Sequence, residues 1–549
     1  MSSVTGALPS VVGTTGILAK ERTVALATFN RWLVPPAALA IHLCIGMAYG
    51  FSVFWLPMSK LLSNPDPSCA KDAGWMSDLF TTTCNWSVPS VSFTFTLFIA
   101  WLGIAAAIWG GWLERVGPRK AGVVAALCWC GGMAAGAVGI YVHQLWIVWL
   151  GTGVLGGVGL GLGYISPVST LIKWFPDRRG MATGFAIMGF GGGAMIGSPL
   201  ATALMSSFSG SATNGVSQAY LIMALIYFLF MLGGAFGYRI PPNGWRPAGW
   251  DPKANDGKTM ITRRHVHLNT AWKTPQFWCI WGVLCMNVSA GIGVIAMASP
   301  MLQDVFGAKL IGADGASGLT TEQKAAIVAA AAGLVGLISL FNSVGRIIWA
   351  SISDYLGRKN TYYVFFLLGI LLYCLMPTLG HAGLAGLFVV TVCVIMTMYG
   401  GGFATVPAYL ADMFGTQMVG AIHGRLLTAW SVAGVIGPVL IANLRQFQLD
   451  AGVAKNLVYD YTLYILAGLL FVGLICNFLV KPVAEKFYMT DEELAAERRL
   501  AHETMSDPRA ETAARGAFGA SGVLAWLAVG IPFLIGLWIA LQKGAVLFK

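Results

Sequence analysis

Thirteen runs of apolar residues, each of helical length, are separated by short polar segments along this chain of 549 residues. They fall at about 33–57, 91–113, 121–142, 145–172, 181–206 and 217–238, then at about 276–302, 325–350, 361–380, 384–411, 425–443 and 460–480, with a last one at about 521–541. About twenty apolar residues in a helix cross the hydrocarbon core of a bilayer. In lipid the backbone must satisfy its own hydrogen bonds, which a helix does within one segment. The expectation is an all-α, polytopic membrane protein. A composition 56% hydrophobic and 10% charged agrees with that and excludes an ordinary soluble enzyme.

Between the first six runs and the next six lies a polar stretch at 239–275, and a second one follows the twelfth run. The expected organisation is an N-terminal tail (1–32), a six-helix half (33–238), a cytoplasmic linker (239–275), a second six-helix half (276–481), and a stretch at 482–549 carrying the thirteenth helix. Within that last stretch, Asp491-Glu492-Glu493 followed by Arg498-Arg499 predicts a short surface helix. The first thirty residues have no continuous apolar core and do not read as a secretory signal.

The net charge of +11 does not call for nucleic acid, because the 34 Lys and Arg are dispersed between the apolar runs. With the N-terminus placed in the cytoplasm, only Lys60, Lys71, Lys309, Lys324, Arg445, Lys455, Lys543 and Lys549 fall on the far side. All the others except Arg346 fall on the cytoplasmic side, as the positive-inside bias requires. An odd number of crossings then leaves the C-terminus outside. Eight of the ten cysteines sit within apolar runs as packing residues, whereas Cys69 and Cys84 share one polar loop and could pair if it faces an oxidising compartment. No cysteine or histidine spacing suggests a metal, and no cofactor is expected.

Arg346 lies inside the eighth run, roughly 12 Å along a helix from the charged turn Asp354-Tyr355-Leu356-Gly357-Arg358-Lys359. A cation that deep is costly unless it faces a partner or a wet cavity, so it marks a functional position. Ser339 and Asn342 precede it on the same face. On other runs, His42, Gly46 and Tyr49 share a face, as do Asn287 and Gly291, and Tyr164 and Tyr399 sit among glycines. An arginine ringed by aromatic hydroxyls is the chemistry a carboxylate needs: a planar, charged fork plus neutral donors. The glycines at 156, 157, 159, 161 and 163 follow no strand, so they read as a helix-packing stripe and not as a nucleotide loop.

The turn after the second run, Gly110-Gly111-Trp112-Leu113-Glu114-Arg115-Val116-Gly117-Pro118-Arg119-Lys120, repeats the one after the eighth, which carries Asp354, Gly357 and Arg358. The acid can cap a helix N-terminus or pair with a nearby arginine, the glycine permits the tight turn, and the cations mark the inner surface. The same punctuation in each half points to a duplicated 6+6 carrier whose halves rock about a midplane site. These turns resemble the loop motif of the major facilitator superfamily. Tyr164 to Gly180, Pro241 to Trp250, Gly400 to Gly415 and Gly420 to Arg425 further resemble the oxalate:formate antiporter family. The resemblance covers roughly residues 30–485 and implies a bacterial inner-membrane carrier of small carboxylate anions, expected to be monomeric.

That family places a lysine on helix 11 opposite the helix 8 arginine, where this sequence has Trp430. A dianion facing one cation keeps an uncompensated charge in a poor dielectric, which favours a monocarboxylate. The acids fall in tails, loops or span ends, leaving no carboxylate as a proton relay. The sequence therefore points to anion exchange, with His42 the midspan group that could restore proton coupling. The alternatives are a proton-coupled monocarboxylate symporter or a transporter-like carboxylate receptor.

Overall fold

The structure, a computed structural model, describes residues 16–26, 28–69, 75–242, 245–250, 260–310, 320–500 and 518–548. Among them no strand occurs, and thirteen helices are long and apolar enough to cross a membrane. In chain order these are α1 (Arg31–Gly50), α2 (Val88–Val116), α3 (Pro118–Tyr141), α4 (Leu145–Trp174), α5 (Arg179–Ser207), α6 (Val216–Gly237), α7 (Pro275–Ile295), α8 (Gly333–Leu356), α9 (Arg358–His381), α10 (Ala385–Phe414), α11 (Val419–Asp450), α12 (Asp460–Leu479) and α13 (Gly519–Gln542). The all-α, polytopic expectation holds.

Several helix limits differ from the hydropathy reading, for local reasons. α2 starts at Val88 because Ser87 caps it, accepting from the Ser90 amide, and Pro89 sits in its first turn. The helix containing α8 begins at Thr321, where Thr320 and Gln323 form a reciprocal capping box. The first span is not one continuous helix. It is α-helical over Val34–Ile45, tightens to 3₁₀ winding over Gly46–Gly50, and resumes at Ser52–Met58. α11 is likewise two helical pieces, Val419–Leu426 and Thr428–Asp450.

The glycine stripe of α4 does what small residues do in lipid. A Cβ at Gly161 would lie 2.5 Å from the Leu102 carbonyl of α2, and one at Gly157 would lie 2.6 Å from Trp101. Two long seams join the first six spans to the next six: α2 against α11, and α5 against α8. Both are lined by glycine. Gly110 faces the Ala421 backbone, and Gly184 faces the Arg346 carbonyl at 2.8 Å from a hypothetical Cβ. Leu221, Leu225 and Leu229 of α6 and Leu367 and Leu371 of α9 stay exposed on outer faces, as lipid contact requires.

The linker packs at one end of the bundle, called here the linker face. Thr262 donates to the Asp412 carbonyl and Val266 to that of Phe414, while Met489 donates to His265. Asp491–Leu500 forms the expected short helix. Cys69 and Cys84 are disulfide-bonded in the loop after α1, at the other end. α13 lies outside the twelve, against α5, α8 and α1. Its Phe533 covers Gly192, Gly536 rests on Met195, and the Trp526 indole donates to the Trp32 carbonyl at 3.1 Å.

Candidate functional site

Arg346 is fully buried, so its side chain does not reach the surface. Nε and Nη2 donate to Asn342 Oδ1 at 3.2 and 3.1 Å, and Nη1 donates to the Ile187 carbonyl of α5 at 3.1 Å. Asn342 stands one turn earlier on the same face and so orients the guanidinium. Phe190 of α5 and Phe403 of α10 flank it, with ring centroids 5.6 and 5.4 Å from the guanidinium carbon. Among the described residues no carboxylate pairs with it. The buried acids there are Asp78, Glu114 and Asp412, all accounted for at span ends or in a loop. Of the guanidinium's five N–H groups, three donate in the bonds just described.

That cage is aromatic. Trp430 of α11 lies 5.2 Å from Tyr164, 5.2 Å from Phe190 and 4.6 Å from Phe403, ring centre to ring centre. Tyr49 packs on Phe190 at 5.1 Å, and its hydroxyl meets that of Tyr399 at 2.8 Å, joining the two halves. Among the described residues the buried Trp430 indole N–H has no hydrogen-bond partner. A fixed cation and an unpartnered neutral donor behind aromatic walls can hold a small anion.

Six expected positions therefore converge: Arg346, Asn342, Tyr49, Tyr164, Tyr399 and Trp430. Two do not. Both ring nitrogens of His42 are turned to backbone carbonyls, those of Ala186 on α5 and Tyr164 on α4, so it braces three helices rather than facing a ligand. Asn287 lines a separate small cavity within the second half with Gly291, Tyr373 and Tyr399. Phe190, Phe403 and the Ile187 carbonyl were not anticipated. The aromatic ring set among glycines at 189–193 was the available signal for the first.

The twin turns close the linker face. Gly117 and Gly357 both take left-handed backbone, with φ of 85° and 87°, which the tight turn needs. Asp354 accepts the amides of Gly180 and Met181 at 2.8 and 3.0 Å, capping the start of α5 in the other half. Glu114 accepts the amide of Gly420 at 3.1 Å, inside the first turns of α11 across the second seam. Around Asp354 the seal is charged: Arg358 bonds Asp354 at 2.6 Å and Asp412 at 3.0 Å, and Arg179 reaches Asp412 at 2.9 Å. Glu114 pairs with Lys173 at 2.8 Å and accepts from Ser169, not from an arginine of its own turn. Arg115 is exposed, and Arg119 donates instead to the Ile17 and Phe236 carbonyls. Gly110 lets α2 approach Ala421 closely. The acids thus cap helices, and among the described residues neither Arg115 nor Arg119 is bonded to Glu114.

Among the described residues no cluster of His, Cys, Asp or Glu is arranged for a metal ion. A sequence model described as Major Facilitator Superfamily matches residues 23–438. The chain is 25% identical to the oxalate:formate antiporter of Oxalobacter formigenes, over 62% of this chain and 72% of that one. It is 24% identical to apicoplast pyruvate carrier 1 of Toxoplasma gondii, over 70% and 78%. In fold it is similar to the proton:xylose symporter XylE bound to 6-bromo-6-deoxy-D-glucose, with a TM-score of 0.55, 15% identity, and coverage of 85% and 98%.

Proposed function

The chain belongs to the Major Facilitator Superfamily, and on that premise we propose that it carries a small monocarboxylate across a bacterial inner membrane by exchange, through alternating access. The observation that carries this is Arg346: a buried guanidinium with no acid beside it among the described residues, in an aromatic cage that also holds the unpartnered Trp430 indole N–H and the Tyr164 hydroxyl. One carboxylate neutralises one cation, and the planar fork favours that group over a halide or an alcohol. The printed names of two relatives, an oxalate:formate antiporter and a pyruvate carrier, concern small carboxylates, formate and pyruvate with one carboxylate group and oxalate with two.

In this reading the site is reached by turns from either face. The seals at Asp354–Gly180 and Glu114–Gly420 hold the linker face shut and must separate for release there. The linker face is assigned to the cytoplasm. The excess of Lys and Arg supports this, and so does the Cys69–Cys84 disulfide at the other end, since disulfides persist in oxidising compartments. The six-span halves at 33–238 and 276–481 would then be the rocking bodies.

Counterflow in proteoliposomes is the test. Vesicles loaded with unlabelled pyruvate or formate should accumulate external labelled substrate with no imposed pH gradient. Uptake that needs a pH gradient and ignores internal carboxylate would replace exchange with symport. Binding with no counterflow at all would make the protein a receptor.

A further inference from the structure

His423 is fully buried on α11, and among the described residues neither of its ring nitrogens has a hydrogen-bond partner. It stands between Gly420, which belongs to the linker-face seal, and Trp430, which belongs to the cage. Its ring lies 5.9 Å from that of Tyr164, which packs on Trp430 in the cage. Buried imidazoles ordinarily find at least one acceptor or donor. This one adjoins the anion cage instead, with a proton-accepting nitrogen left over.

We propose that His423 is a charge-matching proton site: it stays neutral when a monocarboxylate is bound and takes a proton from solvent when a dicarboxylate is bound. The inference rests on the carboxylate reading given above and deepens it. A monocarboxylate leaves Arg346 neutralised, so a second cation gains nothing. A dianion leaves one uncompensated charge in a low-dielectric cage, and the nearby base with a free nitrogen can supply its opposite. The position that would hold a permanent second cation is Trp430, which cannot be charged. Protonation forms one N–H bond on His423 and needs no other reactant.

The surrounding charges leave this role to His423. From α2 the facing acid is Glu114, already tied to Lys173, Ser169 and the Gly420 amide. From α4 come Tyr164 and Lys173. From α10 come Tyr409 and Asp412, the latter held by Arg179 and Arg358. On α11 itself Arg425 turns away to the Leu268 carbonyl and Asn269. The short Leu268–Ala271 helix beside it carries no titratable side chain. From α1 the titratable group is His42, whose nitrogens are already turned to carbonyls.

The test titrates the full-length purified carrier with oxalate and with pyruvate from about pH 5.5 to 7.5. Calorimetry in buffers of different ionisation heat counts the protons taken up. Oxalate affinity should fall about tenfold per pH unit, with about one proton bound per oxalate, while pyruvate shows neither effect. His423→Gln should flatten the oxalate slope and bring its acid-side affinity down to the alkaline-side value of the parent. The proton count on the parent needs no variant and stands even if His423→Gln does not fold. Pyruvate binding together with pH-independent oxalate binding, with no oxalate binding, or with equal proton uptake for both ligands overturns the inference and leaves the carboxylate reading intact. A slope kept in His423→Gln and lost in His42→Gln overturns it as well. Binding of neither ligand ends both readings.

Discussion

Asp354 accepts the backbone N–H of Gly180 at 2.8 Å, a bond between one half of the carrier and the first turn of a helix in the other. Glu114 makes the corresponding bond to Gly420 across the second seam. Each carboxylate therefore ties the two halves together at the linker face through a backbone N–H, a donor that only proline at the receiving position would remove.

Asp354→Asn tests the first seal. It keeps the shape but removes the charge that favours a helix N-terminus, a loss of about 1–2 kcal/mol. Hydrogen exchange at the Gly180 and Met181 amides should quicken by roughly 5- to 30-fold. Unchanged protection would mean the seal is held elsewhere.

Arg346→Gln should fold yet lose carboxylate binding, at a cost of about 2–5 kcal/mol for an unpaired buried anion. Arg346→Lys keeps the charge without the fork and should weaken binding less. Trp430→Lys adds a second fixed cation and should shift preference toward a dicarboxylate. Ligand-dependent thermal shift of each purified variant is the measurement. An Arg346→Gln protein stabilised by carboxylate as strongly as the parent would place the anion elsewhere.

Gly420→Ala should prop the other seam open, because its methyl would sit 2.5 Å from Glu114 Oε1 and 2.8 Å from Ser169 Cβ. The expected result is slower exchange and faster alkylation of a cysteine introduced at Ser169. Gly131→Ala is the control: nothing lies within 4 Å of a Cβ there, and Ala for Gly in a helix should raise stability by about 0.4–1 kcal/mol. Equal transport by the two variants would remove Gly420 from the gate.

His143, in the turn after α3, bonds the Cys84 carbonyl at 2.9 Å and stacks on Trp86 at 4.4 Å. Burial pushes its imidazole below the ordinary range, outweighing the opposing effect of that bond. The folded loop thus prefers the neutral ring. Its contribution is present above about pH 6.5, the unfolded value, and is lost as pH falls through the lower folded value. Hydrogen exchange around Cys84–Ser87, corrected for intrinsic rate, should rise on acidification. His143→Phe should abolish that dependence; a dependence that survives points to another group.

The spans, the depth of Arg346 and the twin turns were legible because each leaves a mark within a short stretch: a run of apolar residues, a charge inside one, a repeated punctuation. The partners of those features were not. Glu114 finds Lys173 and Gly420, and Arg346 finds the Ile187 carbonyl; backbone groups such as the last two have no sequence signature, and all three pairings join distant parts of the chain. The direction of His42 also escaped the helical-face argument. In a span apolar all round, periodicity does not tell which side meets the site, and α1 tightens its winding just before Tyr49. His423 lay within a stretch that resembled a family, yet nothing in its neighbours foretold that both its nitrogens would be left bare.

α13 rests on both α5 and α8 and so straddles one of the two seams, while the α2–α11 seam has no such cover among the described residues. In a rocking carrier this makes the motion lopsided. One seam opens against fluid lipid that rearranges freely; the other opens against a protein strut that must slide or let go of one neighbour. Bilayer thickness and lateral tension would then act chiefly through the uncovered side, and the strut would set the pace of the other.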